Sequence, residues 1–206
     1  MFITFEGSEG CGKSTQSDEL AKFLHQKSYP VLLTREPGGT RIGEQIRTIL
    51  GNQENTQIHL RTEILLFQAS RAQLVEEVIK PHLASGGVVV CDRYADSTLA
   101  YQGYGYRRVN LDQLRTLVNF ATGGLQPDLT ILLDLDVKIG LQRRSQGGQI
   151  NRLDTYDLDF YQRVRQGYLD MAAQEPGRWE VVKADRSFLQ VQEEIRQIVL
   201  QRLTGD

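Results

Sequence analysis

A stretch near the amino terminus has the residue types and spacing of a phosphate-binding loop, G-x-x-x-x-G-K-[ST]. It follows a strand-like apolar segment and precedes a helix-like one, which is the setting the pattern requires. Backbone N–H groups of such a loop point inward around phosphate oxygens, and the following helix directs its positive end at the same place. The pattern therefore predicts a bound nucleoside triphosphate. The predicted contact residues are Gly7, Ser8, Glu9, Gly10, Cys11, Gly12, Lys13, Ser14 and Thr15.

Two of these loop side chains have distinct chemical tasks. Lys13 is expected to reach the β- and γ-phosphates, and the Ser14 hydroxyl to help to hold Mg²⁺. A second metal-binding group is Asp92, which ends a continuous apolar run, 88–92, typical of a buried strand. Arg93 beside it is positioned to bind a second phosphate, although a surface salt bridge is the alternative interpretation.

Further arginines suggest an acceptor on the other side of the phosphate loop. Arg35 lies in a Thr-Arg-Glu-Pro-Gly-Gly turn after a second strand, and an ordinary exposed arginine is the alternative there. Phe67 and Arg71 are four residues apart in a helical pattern and so share a face. Together they suggest a base stacked on a ring and hydrogen-bonded by a guanidinium, whereas separately a core aromatic and a solvated charge are the simpler interpretation.

A basic, glycine-containing segment at about 143–154 suggests a lid. Arg143, Arg144 and Arg152 bracket two glycines there. Closure of such a segment would exclude water and bring arginines to a transferring phosphoryl group. A solvated mobile loop is the alternative.

The elements that must position these residues alternate between strands and helices. Strands are predicted at 2–6, 31–34, 88–92, 129–135 and 179–183. Helices are predicted at 14–26, 42–50, 60–79, 111–121, 137–144, 157–174 and 188–203. This alternation predicts an α/β fold, a parallel sheet covered by helices on both faces, with ligands beyond the carboxyl ends of the strands. The 60–79 helix is open to two interpretations, packing in the core or on a partner chain.

Composition limits the function classes. The 206 residues favour one domain, 1–206. The net charge of −2 argues against a nucleic-acid partner, and no apolar run approaches the ~18 residues of a membrane span. Two cysteines, Cys11 and Cys91, form neither a metal pattern nor a disulfide framework, so a reducing cytoplasm is expected. Eighteen of the 24 basic residues are arginines, whose planar forks suit phosphate oxygens, although codon bias explains the same excess.

Several blocks together resemble the bacterial thymidylate kinase family. They are the phosphate loop, the Thr-Arg-Glu-Pro-Gly-Gly block at 34–39, Asp-Arg-Tyr at 92–94, Leu-Phe with Ser-Arg at 66–71, Ala-Tyr-Gln-Gly at 100–103 and Pro-Asp at 127–128. The resemblance covers essentially the whole chain. It implies a P-loop NTPase fold of three layers with strand order 2-3-1-4-5, Mg-ATP as donor, dTMP as acceptor, dTDP and ADP as products, and a homodimer.

The resemblance also implies roles for individual residues. Lys13, Ser14 and Asp92 would serve the ATP phosphates and Mg²⁺, and Glu9 would approach the deoxyribose 3′-hydroxyl. Arg35 and Arg93 would clamp the dTMP phosphate. Phe67 would stack under thymine, Arg71 would bond its O4, Thr98 and Gln102 would lie near the base, and Tyr101 would crowd the 2′ position.

The catalytic arginine is implied to come from the lid, because positions 8–11 hold no basic residue. The predicted catalytic groups are Lys13, Arg93, Arg143, Arg144 and Arg152. After the lid the family often has Asp-Arg-x-Glu, whereas this chain has Asn-Arg-Leu-Asp at 151–154, which leaves open which arginine acts.

Two other functions are compatible with a phosphate loop. A GTP-dependent switch would need D-x-x-G, which does not occur in the sequence, and [NT]-K-x-D, whose nearest match at 182–185 begins with valine. The closer rival is a kinase of the same architecture acting on another nucleotide or nucleoside.

Overall fold

A five-stranded parallel sheet organises the chain, which the computed structural model describes over residues 1–146, 152 and 156–205. The strands are β1 (Phe2–Glu6), β2 (Val31–Arg35), β3 (Val88–Asp92), β4 (Leu129–Asp134) and β5 (Trp179–Lys183). They pair in the order β2-β3-β1-β4-β5, all parallel. The expected strand order of this P-loop NTPase fold is confirmed.

Helices connect the strands. They are α1 (Lys13–Gln26), α2 (Arg41–Gly51), α3 (Leu60–Leu74), α4 (Lys80–Ala84), α5 (Ala95–Thr98), α6 (Leu111–Thr122), α7 (Val137–Gln146), α8 (Leu158–Gln174) and α9 (Phe188–Thr204). Several begin at residues whose side chains accept a hydrogen bond from the first turn, namely Thr40, Asn110, Asp157 and Ser187.

The predicted 60–79 helix is interrupted by a wider turn. After α3 the chain forms a π-helical segment, Val75–Ile79, and then α4. Pro81 lies in the first turn of α4, directly after this π-helical segment, so the wider turn stands where the regular helical ladder meets a residue without an N–H group. Helical structure therefore continues past residue 79, to Ala84.

A second helical stretch was not predicted at all. It consists of α5 and a π-helical segment, Leu99–Gly105. Gly103 and Gly105 obscure the helical pattern, but a β-carbon on Gly105 would lie 2.7 Å from the Phe160 ring of α8. The glycine is therefore explained by close packing on α8, which the local sequence does not reveal.

The sheet is buried between two helical layers. On one face, Ile3, Phe5 and Val90 pack with α1 and α9, and on the other, Phe2 and Val89 pack with α3. Further along that second face, α8 covers β4 and β5. The prediction of cover on both faces is accurate for β1, β3 and β4, whereas the edge strands β2 and β5 are partly exposed. No helix in the described part of the chain is both long and apolar enough to cross a membrane.

Candidate active site

A pocket of about 320 Å³ lies beyond the carboxyl ends of β1, β2 and β3. It is where parallel sheets of this kind bind ligands. It brings together most of the side chains that the sequence singled out. Those that line it are Glu9, Gly10, Lys13, Ser14, Arg35, Phe67, Arg71, Asp92, Arg93, Thr98, Tyr101, Gln102 and Arg144.

The phosphate loop forms one wall of this pocket and depends on close backbone packing. Gly10 has φ +69°, and a β-carbon there would lie 2.0 Å from the backbone oxygen of Gly140 in α7. No side chain fits between the loop and that helix. Lys13 is 7% exposed, and its Nζ donates to the Ser8 carbonyl at 2.8 Å. The ammonium group is therefore held within the curve of the loop, where a phosphate would be cradled.

Two oxygen ligands for a cation meet at the mouth of the loop. The Ser14 hydroxyl donates directly to the Asp92 carboxylate, although the two residues are 78 positions apart in sequence. The described part of the chain contains no group of three or more His, Cys, Asp and Glu side chains arranged to hold a metal. One or two protein oxygens are what Mg²⁺ usually takes at a phosphate site, where the substrate supplies the others. The pair fits that chemistry.

Arg93 links the phosphate loop to the other side of the pocket through several hydrogen bonds. Its Nη2 donates to Glu9 Oε1 and to the Tyr101 hydroxyl, both at 3.0 Å, and its Nη1 donates to the Gly7 carbonyl. Tyr101 also donates to both Glu9 oxygens, and burial raises the pKa of Tyr101 well above its ordinary value, so it stays neutral. Arg93 has φ +70°, a strained conformation for a residue with a side chain. The guanidinium is thus held rigidly between the phosphate loop and the acceptor side.

Behind Arg93 lies a fully buried carboxylate, Glu6, at the end of β1. Glu6 accepts hydrogen bonds from the Tyr94 N–H, the Ser97 hydroxyl and the Tyr168 hydroxyl at 2.6–2.8 Å. Burial, and after it the negative charge of Asp96, raise the pKa of Glu6 from 4.5 to about 7, while Arg93 limits the rise. This carboxyl group therefore titrates near neutral pH.

At the far end of the pocket, Arg71 is 1% exposed. Its Nε and Nη2 donate to Glu36, and its Nη2 also donates to the Tyr94 carbonyl. Its Nη1 donates to Gln68 and Thr98 at 2.8 and 3.0 Å. The simpler interpretation of Arg71 as a solvated charge is wrong, because a buried Glu36 neutralises it. Its predicted bond to a base oxygen stays a prediction.

Arg35 and Arg47 lie at the rim of the pocket, each partly accessible to solvent. The Nη2 atom of Arg35 donates to both carboxylate oxygens of Glu44, at 2.9 and 3.0 Å. Both side chains are about half exposed. Arg47 donates to the Pro37 carbonyl at 2.9 Å. Burial, and after it the positive charge of Arg35, lower the pKa of Arg47, and Arg93 acts in the same direction. Arg35 and Arg47 both line the pocket, where their positive charges face the same space.

The three predicted lid arginines take different places. Arg144 lines the pocket. Arg143 donates to the Ala184 carbonyl at 3.3 Å, and Arg152 donates to the Leu50 carbonyl and pairs with Glu63 at 2.8 Å, both outside the pocket lining. The rest of the predicted lid, residues 147–151 and 153–154, lies outside the described residues. The catalytic role of each arginine stays a prediction.

Sequence reasoning missed several lining residues and assigned others that do not line the pocket. The missed ones are Glu36, Pro37, Arg47, Ser97 and Tyr156. Glu36, Pro37 and Ser97 lie in sequence blocks that predict a site but assign no role to these side chains, whereas no spacing pattern marks Arg47 or Tyr156. The predicted residues outside the lining are Gly7, Ser8, Cys11, Gly12, Thr15, Arg143 and Arg152. The first five belong to the phosphate loop, where backbone groups are what a phosphate would contact.

Comparison with known proteins identifies the family. The family model described as thymidylate kinase matches residues 5–195. A thymidylate kinase of Roseiflexus castenholzii is 50% identical over 212 residues, covering 97% of this chain and 92% of that protein. One of Trichlorobacter lovleyi is 48% identical and covers 98% of each chain. The crystal structure of thymidylate kinase from Ehrlichia chaffeensis matches with a TM-score of 0.80 at 34% identity, covering 97% of this chain and 98% of that one. With its sheet order, its phosphate loop and these relatives, the chain belongs to the thymidylate kinase family.

Proposed function

We propose that the pocket holds ATP and dTMP end to end, so that their reacting phosphates meet between the phosphate loop and Arg93. The reaction is the ATP-dependent phosphorylation of dTMP to dTDP, a step of dTTP synthesis. The observation that carries the proposed arrangement is one continuous pocket lined by Lys13 at the donor side and by Arg93 and Phe67 at the acceptor side.

Charge supports this orientation of the acceptor. Arg35, Arg47 and Arg93 line the pocket, Arg93 in contact with the loop at the Gly7 carbonyl, and these positive charges would attract the dTMP phosphate. Phe67, Arg71, Thr98 and Gln102 form the other end, which suits a base. Tyr101 and Glu9 lie between, joined by hydrogen bonds of 2.7 and 2.8 Å, and face the sugar. Arg35 must exchange Glu44 for the phosphate to take part.

The chain's own part in the chemistry is positioning and charge neutralisation. The acceptor phosphate is already anionic, so no strong general base is needed for in-line attack on the γ-phosphorus. Lys13 neutralises the β- and γ-oxygens, and Arg93 holds the attacking phosphate in line. Of the described lid arginines, Arg144 lines the pocket, and it would approach the transferring group.

Magnesium fits this site as the partner of ATP. Ser14 and Asp92 would hold it, and when bound it supplies positive charge to the phosphate oxygens. The roles of both residues rest on their direct contact at the loop mouth.

A steady-state acceptor panel of dTMP, dUMP, dCMP, AMP and GMP, with Mg-ATP as donor, tests the proposal. We expect the highest kcat/KM for dTMP. A clear preference for AMP or GMP would establish the rival kinase instead, and slow ATP hydrolysis that no monophosphate accelerates would establish a nucleotide-binding module without acceptor chemistry.

We also propose that the enzyme is a homodimer of single-domain chains working in the cytoplasm. Helices α3 and α6 pack side by side, and large apolar side chains on them are exposed, with Leu65 at 56% and Phe120 at 87%. A second copy would cover such a surface. Cys11 and Cys91 are free, buried thiols, which suits a reducing compartment. Light scattering of the purified protein and of Phe120→Ser tests the dimer, because the substitution should yield monomers.

A further inference from the structure

Three buried polar side chains form a closed triangle at the base end of the pocket. Gln68, Arg71 and Thr98 are 6%, 1% and 2% exposed. Arg71 Nη1 donates to Gln68 Oε1 at 2.8 Å and to Thr98 Oγ1 at 3.0 Å. Gln68 Nε2 donates to the same Thr98 oxygen at 3.3 Å. Arg71 and Thr98 line the pocket, whereas Gln68 lies behind them.

The direction of each hydrogen bond in this triangle follows from chemistry. A guanidinium has donors only, so the amide oxygen of Gln68 must face Arg71 and the amide nitrogen must face Thr98. Thr98 Oγ1 then accepts two hydrogen bonds, which occupy both acceptor positions of a hydroxyl. Its own proton points away from both donors. Among residues 1–146, 152 and 156–205 no acceptor for that proton is found, and Thr98 lines the pocket, so a group bound there can accept it.

We propose that Gln68 is a specificity-determining residue that acts through Thr98. It keeps the Thr98 hydroxyl as a hydrogen-bond donor toward the pocket, and this selects an acceptor base with a carbonyl oxygen over one with an amino group at the same position. The inference rests on the proposed binding of dTMP in this pocket. Thymine and uracil carry a carbonyl oxygen where cytosine carries an amino group, and an amino group facing the Thr98 proton would leave two donors opposed.

Substitution of Gln68 by glutamate tests the direction of the hydroxyl. A carboxylate has the shape of the amide but no donor, so it accepts from both Arg71 and Thr98. The Thr98 proton then turns away from the pocket and the hydroxyl presents its lone pairs to the base. We expect Gln68→Glu to lower the ratio of kcat/KM for dTMP to kcat/KM for dCMP about tenfold, through KM more than kcat. The ratio for dUMP to dCMP should fall alike, since dUMP shares the carbonyl.

Two further variants separate this role from a structural one. Gln68→Met has similar volume but neither donor nor acceptor, and should lower the dTMP-to-dCMP ratio about threefold. In a Thr98→Val background, Gln68→Glu should change the ratio by less than about twofold, because the hydroxyl through which it acts is absent. Thermal melting of each variant checks that it is folded.

Each outcome decides the proposal. Equal losses for dTMP and dCMP in Gln68→Glu, or the same ratio change with and without the Thr98 hydroxyl, would overturn it. If Gln68→Glu does not fold, an unchanged ratio in Gln68→Met overturns it and a lowered ratio supports it. The activity of the wild-type enzyme on dTMP is measured first. If the wild-type enzyme does not phosphorylate dTMP, that result contradicts the proposed function and not the role of Gln68.

Discussion

The two sides of the pocket are built in opposite ways. The donor side is built mainly from one stretch of backbone, residues 7–15, to which Asp92 at the end of β3 adds a carboxylate. The acceptor side is assembled from the ends of β2 and β3, from α2 and α3, and from α5 with the segment after it. Its chemistry depends on buried polar side chains from distant parts of the chain. A local site can be deduced from a motif, whereas a distributed site depends on the whole fold.

The largest effect is expected on the donor side, from Lys13→Ala. The ammonium group is the chain's main charge at the β- and γ-phosphates, so we expect kcat to fall by about 10³-fold, or ~4 kcal/mol of activation free energy. Lys22→Ala on the exposed face of α1 is the matched control and should have near-normal turnover. A coupled ADP-release assay measures both. Near-normal turnover by Lys13→Ala would contradict the assignment of the loop.

On the acceptor side, the largest expected effect is a loss of protein stability in Glu36→Gln. This substitution leaves the Arg71 charge buried without its counter-ion, at a cost of about 3–4 kcal/mol of unfolding free energy. Glu44→Gln, which breaks the exposed pair with Arg35, should cost less than about 1 kcal/mol. Urea denaturation compares them. If both variants lose a similar amount of unfolding free energy, the buried Glu36–Arg71 pair does not depend on its counter-ion more than the exposed Glu44–Arg35 pair does.

The buried Glu6 should give the acceptor side a pH dependence. Its folded pKa of about 7 lies above the ordinary 4.5, so between these values the folded state binds more protons than the unfolded state. The unfolding free energy therefore falls as pH rises through this window, by about 3 kcal/mol for this group. Gln at position 6 does not titrate. The unfolding free energy of Glu6→Gln should therefore rise relative to that of wild type as the pH increases over that interval.

Urea denaturation at several pH values between 4.5 and 7.5 tests this dependence. The exposed Glu193→Gln is the control and should follow wild type throughout. Parallel curves for wild type and Glu6→Gln would rule out the titration.

The same contrast explains how much the sequence could predict. The phosphate loop, the sheet and its order follow from short-range patterns and a family resemblance, and the structure bears out the fold. Glu6, Gln68 and Arg47 escaped notice, because nothing local distinguishes a strand-end glutamate or a helical glutamine from an ordinary surface residue. Only the folded chain brings Tyr168 of α8 to Glu6, and packs α3 against α5 so that Gln68 meets Thr98. The catalytic roles of Arg143, Arg144 and Arg152 stay predictions, because most of the predicted lid lies outside the described residues.

The smallest effect that still distinguishes the two sides is expected from Arg47→Ala. Arg47 lines the pocket near Arg35 and Arg93, so its loss weakens the attraction for the acceptor phosphate and leaves the phosphate loop intact. The KM for dTMP should rise about tenfold, whereas the KM for ATP should change by less than about twofold. Arg41→Ala, at the exposed start of α2 and outside the pocket lining, should change neither constant. A rise confined to the KM for ATP would place Arg47 on the donor side, and so would remove the division of the pocket on which the proposed orientation of the two nucleotides depends.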